Sequence, residues 1–166
     1  MQKLVRIGLS TAIISGIFVA TPTLAVDTGE ESEMAPKTAE LLSYTRLYTG
    51  ADDETHFEDV GVNFVYQDYS KTMPPVWFPE EGIMDAAGFH FVSMPPGWDG
   101  ADWHPAPRRQ FIIPLSGEME FQVSDGEKRV FGPGDVLLVE DTSGKGHISQ
   151  MVSSGLGVFA VVPLPD

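Results

Sequence analysis

Residues 110–139 read QFIIPLSGEMEFQVSDGEKRVFGPGDVLLV, and this stretch decides the fold. Within it, residues 118–123 alternate polar and apolar side chains, which is the pattern of a β-strand with one solvated and one buried face. Turn-forming sequences stand on both sides of that strand, Ser116-Gly117 before it and Asp125-Gly126 after it, and GPGD follows at 132–135. The stretch therefore predicts four short strands, at 110–115, 118–123, 128–131 and 136–139.

Further strands flank this stretch. The segment 88–94 (GFHFVSM) precedes it, and the segments 147–152 and 157–162 follow it. Short strands separated by Gly, Pro and Asp turns, with little helical periodicity, predict an all-β sandwich or barrel. The β pattern begins near Tyr44 and no second linker interrupts it, so we expect one domain over residues 44–166.

The composition excludes several classes of protein. The chain has 166 residues, with 24 Asp and Glu against 10 Lys and Arg, a net charge of −14 and no cysteine. Such an acidic chain lacks the clustered Lys and Arg that bind nucleic acid or an anionic lipid surface. The absence of cysteine excludes disulfides, Cys-ligated zinc, iron–sulfur clusters and thiol nucleophiles. We therefore expect no nucleic-acid partner, and a folded core that forms without disulfides.

The first 25 residues have the order of a secretory signal peptide. Lys3 and Arg6 precede an apolar stretch, and small residues suit cleavage after Ala25. The apolar stretch is shorter than the roughly 20 residues that span a bilayer, so we expect no stable membrane anchor after cleavage. Residues 26–43 then predict an acidic leader, with a short helical turn near Pro36 as an option. The sequence therefore predicts a periplasmic or secreted protein.

Two of the four histidines lie in Gly- and Pro-rich loops that lead into predicted strands. His104 belongs to GWDGADWHPAPRRQ (97–110), and His147 closes EDTSGKGH (140–147). Loops carried by a rigid sheet are where binding groups tend to lie. These two loops are therefore the candidate functional region.

The residues around these histidines resemble the two motifs of the cupin superfamily. The first motif has His-x-His, then Glu and Gly, and the corresponding positions here hold His104, Ala106, Gln110 and Gly117. The second motif has Pro-Gly-Asp and a later Gly-x-x-His, which residues 133–135 and 144–147 match. The strings WHPAPRRQ and EDTSGKGH also resemble a subgroup of small single-domain cupins described only as uncharacterised. The resemblance implies a double-stranded β-helix, the cupin jelly roll.

The resemblance also implies a divalent metal, Fe, Mn, Ni or Zn, which the family holds through three His and one carboxylate. This sequence keeps His104 and His147 as ligands, and it has Gln110 as a neutral, weaker oxygen donor in place of Glu. Candidates for the missing donors are Asp102, Glu140, Asp141 and His90. The alternative is that the two histidines form hydrogen bonds in a metal-free pocket, and the sequence leaves both open.

Four further residues near these loops are candidates for ligand binding: Arg108, Trp98, Trp103 and Asp141. An arginine beside two histidines can bind a carboxylate or another small anion through two hydrogen bonds. The alternative for Arg108 is an ion pair with Asp102, Glu140 or Asp141 that braces the loops. The alternative for the tryptophans is packing at the barrel rim, and His56 is expected to be structural.

The sequence thus predicts an exported single-domain cupin that binds a small molecule at the mouth of its barrel. One interpretation is a divalent-metal-dependent oxidoreductase or isomerase in which Glu140 moves protons. The other is a non-catalytic, metal-free cupin that binds or senses a small molecule. Whether the protein is an enzyme and whether it forms a homodimer are left open.

Overall fold

The computed structural model describes residues 38–68, 70–80 and 84–166. The predicted signal peptide (1–25) and residues 26–37 of the predicted leader lie outside the described residues. The described residues form strands, turns and loops, with no helix among them, so the all-β prediction is confirmed. Accordingly, these three ranges contain no helix that is long and apolar enough to cross a membrane.

Eleven strands make up the regular structure of the described residues. In chain order they are β1 (Thr38–Thr49), β2 (Thr55–Gln67), β3 (Val76–Pro79), β4 (His90–Met94), β5 (Asp99–His104), β6 (Gln110–Ser116), β7 (Met119–Val123), β8 (Lys128–Phe131), β9 (Leu137–Val139), β10 (His147–Met151) and β11 (Gly157–Pro163). The seven strands that the sequence predicts between residues 88 and 162 are all present.

The strands form two sheets. A seven-stranded sheet has the order β3-β2-β1-β9-β6-β11-β4, and a four-stranded sheet has the order β5-β10-β7-β8. Neighbouring strands pair antiparallel, except that β1 and β9 run parallel with Thr45 opposite Leu137. Two sheets in which most neighbours are not consecutive in the chain are consistent with a jelly roll.

The hydrophobic core contains side chains from both sheets. Leu47, Leu137 and Phe159 contribute from the seven-stranded sheet, and Met119 and Phe121 contribute from the four-stranded sheet. In β7 the buried and half-buried side chains alternate along the strand, because successive side chains of a strand point to opposite faces. This is the alternation that the sequence shows over residues 118–123.

Strand β10 follows the same alternation with polar side chains on its buried face. His147, Ser149 and Met151 are the buried residues of this strand. His147 lies in register with Val123 of β7, and Met151 with Met119. The core therefore has an apolar end at Met151 and a polar end at His147, and the polar end carries the candidate functional loops.

Two segments differ from the sequence-based expectation. The sequence predicts a loop up to His104, whereas Asp99–His104 is strand β5. This segment has no apolar alternation, and its extended conformation comes from pairing with β10. The sequence also assigns residues 38–43 to the leader, with a helical turn as an option, whereas β1 begins at Thr38 in register with Val65 of β2.

Candidate functional site

Two imidazole rings lie side by side at the polar end of the core, and we name His104 and His147 the imidazole pair. Their ring centroids are 4.7 Å apart and their planes are inclined at 53°. The two residues are partners in the register between β5 and β10. His147 is 5% exposed, and its ring centroid lies 5.4 Å from that of Phe121. The structure thus brings together the two histidines that the motif spacing singled out.

A hydrogen bond fixes the orientation of each ring. Nδ1 of His147 donates to Oδ2 of Asp141 at 2.7 Å, and Nδ1 of His104 donates to the backbone carbonyl of Asp102 at 2.8 Å. Because a carboxylate and a carbonyl only accept, Nδ1 carries the proton in both rings, and Nε2 of a neutral ring then has a free lone pair. Among the described residues, neither Nε2 atom has a hydrogen-bond partner. The imidazole pair therefore offers two proton-accepting nitrogens.

Asp141 is fully buried, and only one of its carboxylate oxygens has a partner. Oδ2 accepts the hydrogen bond from His147, whereas Oδ1 has no partner among the described residues. The backbone carbonyl of Asp141 accepts from the backbone N–H of Ala106 at 2.9 Å, which joins the two candidate loops. Burial of a carboxylate oxygen without a partner costs free energy. Asp141 therefore orients His147 through Oδ2 and leaves Oδ1 without a protein partner among the described residues.

Gly146 allows the two loops to approach closely at the imidazole pair. Its φ is +79°, and a Cβ at this position would lie 2.1 Å from the backbone C and O atoms of His104. The carbonyl of Gly146 also accepts from the buried hydroxyl of Thr55 at 2.9 Å. Thr55 in turn exchanges two hydrogen bonds of 2.7 Å with Ser124. Sequence reasoning missed Thr55, because these partners are remote in the chain and leave no local pattern.

Glu140, the predicted proton-transfer residue, is bound by two arginines. Its Oε1 accepts from Nε and Nη2 of Arg109 at 2.8 and 2.5 Å, and its Oε2 accepts from Nε of Arg46 at 2.6 Å. Burial alone would raise the pKa of Glu140, but the hydrogen bonds from the two guanidinium groups outweigh burial and hold this pKa below its usual value. Glu140 thus joins β1 to the segment before β6, and its catalytic role stays a prediction.

Arg46 and Arg109 form ion pairs with Glu140. The alternative role for Arg108 was an ion pair of this kind. Arg108 is exposed, and it has no hydrogen bond or ion pair within the part of the chain that the structure describes. The sequence could not identify Arg46, because this residue lies 94 positions before Glu140. The idea that Arg108 braces the loops is therefore wrong, and its role in binding a ligand stays a prediction.

The two tryptophans have different surroundings. Trp98 packs against the hydrophobic core, and its backbone carbonyl accepts from the N–H of Met151 at 2.9 Å. The ring of Trp103 lies 4.3 Å from Nζ of Lys145, a cation–π contact between β5 and the loop that ends at His147. Trp103 therefore lies on the rim near the imidazole pair, and a ligand contact by either ring stays a prediction.

Gln110 lines a cavity of about 250 Å³. His90, the candidate for a third metal ligand, lines the same cavity from the edge strand β4. Gln110 is in register with Val139, two residues before Asp141. The strand pairing thus brings the cavity wall close to the carboxylate that orients His147.

The donors at this site do not fit the metal set of the cupin motifs. The position of the second motif histidine holds the buried methyl group of Ala106, and both oxygens of Glu140 are bound by arginines. The nearest other carboxylate, Asp141, accepts from His147. No group of three or more His, Cys, Asp or Glu within 38–68, 70–80 and 84–166 is arranged to hold a metal ion. Metal binding by His104, Gln110 and His147 stays a prediction.

Comparison with known proteins assigns the fold. Residues 90–150, from β4 to β10, match the family model described as the cupin domain, Cupin_2. Residues 90–150 therefore match a cupin domain, as the motif resemblance predicts. A curated relative, Oryzines biosynthesis cluster protein J of Aspergillus oryzae, is 30% identical over 78 residues, which are 47% of this chain and 40% of that protein. The match thus spans well under half of that relative's length.

Several solved structures are similar to this chain. The cupin domain of Schizosaccharomyces pombe Cnp3 matches with a TM-score of 0.40 and 10% identity, over 79% of this chain and 86% of that one. Protein NMB1881 of Neisseria meningitidis matches with a TM-score of 0.35 and 20% identity, over 51% and 81%. The Cupin_2 domain of an XRE family transcriptional regulator from Enterobacter cloacae matches with a TM-score of 0.29 and 15% identity, over 79% and 100%.

Proposed function

We propose that this cupin domain binds a small molecule at the mouth of its barrel and contacts it through the imidazole pair. One observation carries the proposal: two Nε2 atoms without partners among the described residues stand side by side, on rings whose orientation is fixed by Asp141 and by the carbonyl of Asp102. Neither Nε2 is among the fully buried, unpaired polar atoms of the described residues, so both nitrogens are accessible to a ligand that enters the barrel mouth. We also propose that the two sheets form the barrel of a cupin jelly roll.

The arrangement favours a ligand that donates a hydrogen bond. Each Nε2 lone pair can accept from a hydroxyl or N–H group of a bound molecule. The donors present do not fit the cupin metal set, so the proposed function uses the residues of the chain alone. The site therefore supports metal-independent binding of a small molecule as the leading function.

Acid–base catalysis of the isomerase type is the second candidate, and the Asp141–His147 hydrogen bond favours it. A carboxylate behind Nδ1 stabilises the imidazolium that forms when Nε2 takes a proton. The buried oxygen Oδ2 of Asp141 stands in that position, 2.7 Å from Nδ1. Glu140 is the weaker candidate for proton transfer, because two arginines keep it ionised. In this scheme Asp141 is a positioning residue and His147 is the base.

Export is part of the proposal. The order of a basic start, an apolar stretch and small residues over 1–25 supports a cleaved signal peptide. Fractionation of the producing cells and N-terminal sequencing of the mature protein test this step. Protein that keeps Met1 and stays in the cytoplasm would contradict it.

A small-molecule panel tests the binding function. Simple alcohols, amides, amines and carboxylates are titrated into the protein, and the ring signals of its four histidines are followed by NMR. We expect at least one class to shift the signals of His104 and His147 and to leave those of His56 unchanged. The variant His147→Gln should bind that compound about tenfold more weakly, as expected for one lost hydrogen bond, and His56→Gln is the matched control.

Two results separate the alternatives. If no compound shifts either ring of the imidazole pair, the binding function is wrong. Elemental analysis of the purified protein for Fe, Mn, Ni and Zn distinguishes metal-independent binding from a metal-dependent enzyme. Near-stoichiometric metal that is lost in the His104→Ala and His147→Ala variants would overturn the metal-independent proposal.

A further inference from the structure

The cavity that Gln110 and His90 line is otherwise apolar, and neither ring of the imidazole pair belongs to its lining. Its volume is about 250 Å³, and strands β4, β6, β7 and β11 contribute to its walls. Seven of its nine lining residues are apolar, including Val92, Ile112 and Phe159. No Asp, Glu, Lys or Arg of the described residues lines it. Its two polar residues are His90 and Gln110.

The cavity has room for one six-membered ring. A cavity of about 150 Å³ lined by aliphatic and aromatic side chains holds benzene, and the present cavity is larger. Binding in such a cavity is driven by the removal of apolar surface from water. The lining therefore favours a compact apolar ligand over an extended polar one.

The charge of the surroundings disfavours an anion. A carboxylate that enters this cavity loses part of its hydration and finds no Lys or Arg in the lining. The net charge of the chain, −14, adds a repulsive field around the protein. Arg108, the anion-binding candidate in the sequence, does not line the cavity. A neutral ligand meets neither obstacle.

The two polar residues can hold one polar group of that ligand. Among the described residues, the side chains of Gln110 and His90 have no hydrogen-bond partner. An amide and an imidazole can each donate and accept, so either a hydroxyl or a carbonyl group is suitable. Gln110 is in register with Val139, at the strand end that leads to Asp141. The polar group therefore belongs at the end of the cavity that Gln110 and His90 line.

We propose that the ligand of this barrel is a neutral, single-ring molecule with one hydroxyl or carbonyl group. The ring occupies the apolar part of the cavity, and the polar group lies beside Gln110. This inference rests on the proposed function, because it names the class of small molecule that the barrel mouth receives. The proposed ligand is neutral, whereas the sequence, with Arg108 near two histidines, suggested a small anion.

A pair of probes that differ in charge tests the proposal. Benzyl alcohol and benzoate are titrated separately into full-length protein labelled with ¹³C in its methionine methyl groups. Met94 and Met119 line the cavity, whereas Met73 is 50% exposed and lies outside it. We expect benzyl alcohol to shift the Met94 and Met119 signals and to leave the Met73 signal unchanged. Benzoate should bind at least about tenfold more weakly, and equal or tighter binding of benzoate would overturn the proposal.

Two matched variants locate the binding. Val92 and Ser93 are neighbours on the edge strand β4, and only Val92 lines the cavity. The variant Val92→Trp fills the cavity and should abolish the shifts that benzyl alcohol causes, whereas Ser93→Trp should preserve them. If Val92→Trp does not fold, Gln110→Leu replaces it and should weaken benzyl alcohol binding several-fold. Benzyl alcohol binding that is unchanged in the folded cavity variant would overturn the proposal.

The histidine signals distinguish this inference from the proposed function. If benzyl alcohol leaves Met94 and Met119 unchanged while another compound of the panel shifts His104 and His147, the neutral-ring ligand is wrong and the binding function stands. If no compound shifts either set of signals, both proposals fail.

Discussion

Two histidine–aspartate pairs in this protein have the same geometry and opposite surroundings. In the buried pair, Nδ1 of His147 lies 2.7 Å from Oδ2 of Asp141, and in the surface pair, Nδ1 of His56 lies 2.7 Å from Oδ2 of Asp125. The side chains of the buried pair are 7% and 0% exposed, against 28% and 30% in the surface pair. The first hydrogen bond is therefore the same in both pairs, and the second ring nitrogen makes the difference.

The second nitrogen of His56 is satisfied and that of His147 is not. Nε2 of His56 lies 3.1 Å from Oδ1 of Asp52, so the ring stands between two carboxylates, and its hydrogen bonds with Asp52 and Asp125 raise the pKa of His56. Nε2 of His147 has no partner in the described part of the chain and lies beside His104. A ring with both nitrogens satisfied braces two turns, whereas a ring with one free nitrogen is suited to contact a ligand.

The largest expected difference between the pairs is in the free energy of unfolding when the aspartate is removed. Asp141→Ala leaves the buried Nδ1–H of His147 without its charged acceptor, and we expect a loss of about 3 kcal/mol. Asp125→Ala removes a partly exposed pair, and we expect a loss of at most about 1 kcal/mol. Urea unfolding followed by circular dichroism measures both values. Equal losses in the two variants would show that burial does not separate the pairs.

A second difference concerns the glycines next to each pair. Gly146→Ala adds a Cβ that would lie 2.1 Å from backbone atoms of His104 at a φ of +79°, so overpacking and backbone strain together predict a loss of about 2–5 kcal/mol. Gly126, beside Asp125, has a φ of +102° and open space around it, so Gly126→Ala should cost only about 1–2 kcal/mol. Thermal and urea unfolding of both variants test the order, and a smaller loss for Gly146→Ala would contradict it.

The smallest expected difference is in the pH dependence of the surface pair. The pKa of folded His56 lies above its ordinary value of 6.5, so its contribution to stability is fully present below that value and is lost as the pH rises through the folded pKa. The hydrogen bond with His56 lowers the pKa of Asp52 from 3.8. The contribution of Asp52 to stability is therefore lost only as the pH falls below this value. Unfolding of wild type and His56→Gln should therefore differ most between about pH 4 and 6.5.

Salt provides the control for this pH effect. The surface pair is partly exposed, so 1 M NaCl should reduce the difference between wild type and His56→Gln. The Asp141→Ala loss should change little in the same salt, because the buried pair is shielded from solvent. A wild-type advantage that grows from pH 6.5 to 9 would contradict the assignment of the surface pair.

The part of the fold between β6 and β11 is predictable because its signals are local. Side-chain alternation in β7 and turns at Gly117 and Gly126 lie within a few residues of the strands that they define. Strand β5 has no such signal: DGADWH lacks apolar alternation, and its partners in β10 lie 43 to 51 positions later in the chain. β1 likewise depends on its pairing with β2 and β9. Contacts between distant residues decide these two strands, and no local pattern reports them.

The candidate site divides in the same way. Motif spacing identified His104 and His147, and the structure places their rings 4.7 Å apart. Asp141 is one of several acidic residues that the sequence offers as a metal ligand or ligand-binding group. Only the folded chain shows that Asp141 contacts His147. It also shows that the neighbouring Glu140 contacts Arg46 and Arg109. Adjacent residues such as Glu140 and Asp141 point in different directions, and their roles depend on partners that the local sequence does not contain.

The parallel pairing of β1 with β9 has a consequence for synthesis of the chain. Thr45 pairs with Leu137, more than half the chain later, so the centre of the seven-stranded sheet stays incomplete until β9 has left the ribosome. Asp141 and His147 follow β9 directly, and closing so long a loop slows folding. A chain that ends before residue 137 therefore has the partner for β2 but lacks Asp141 and His147, and so has no site to receive a ligand.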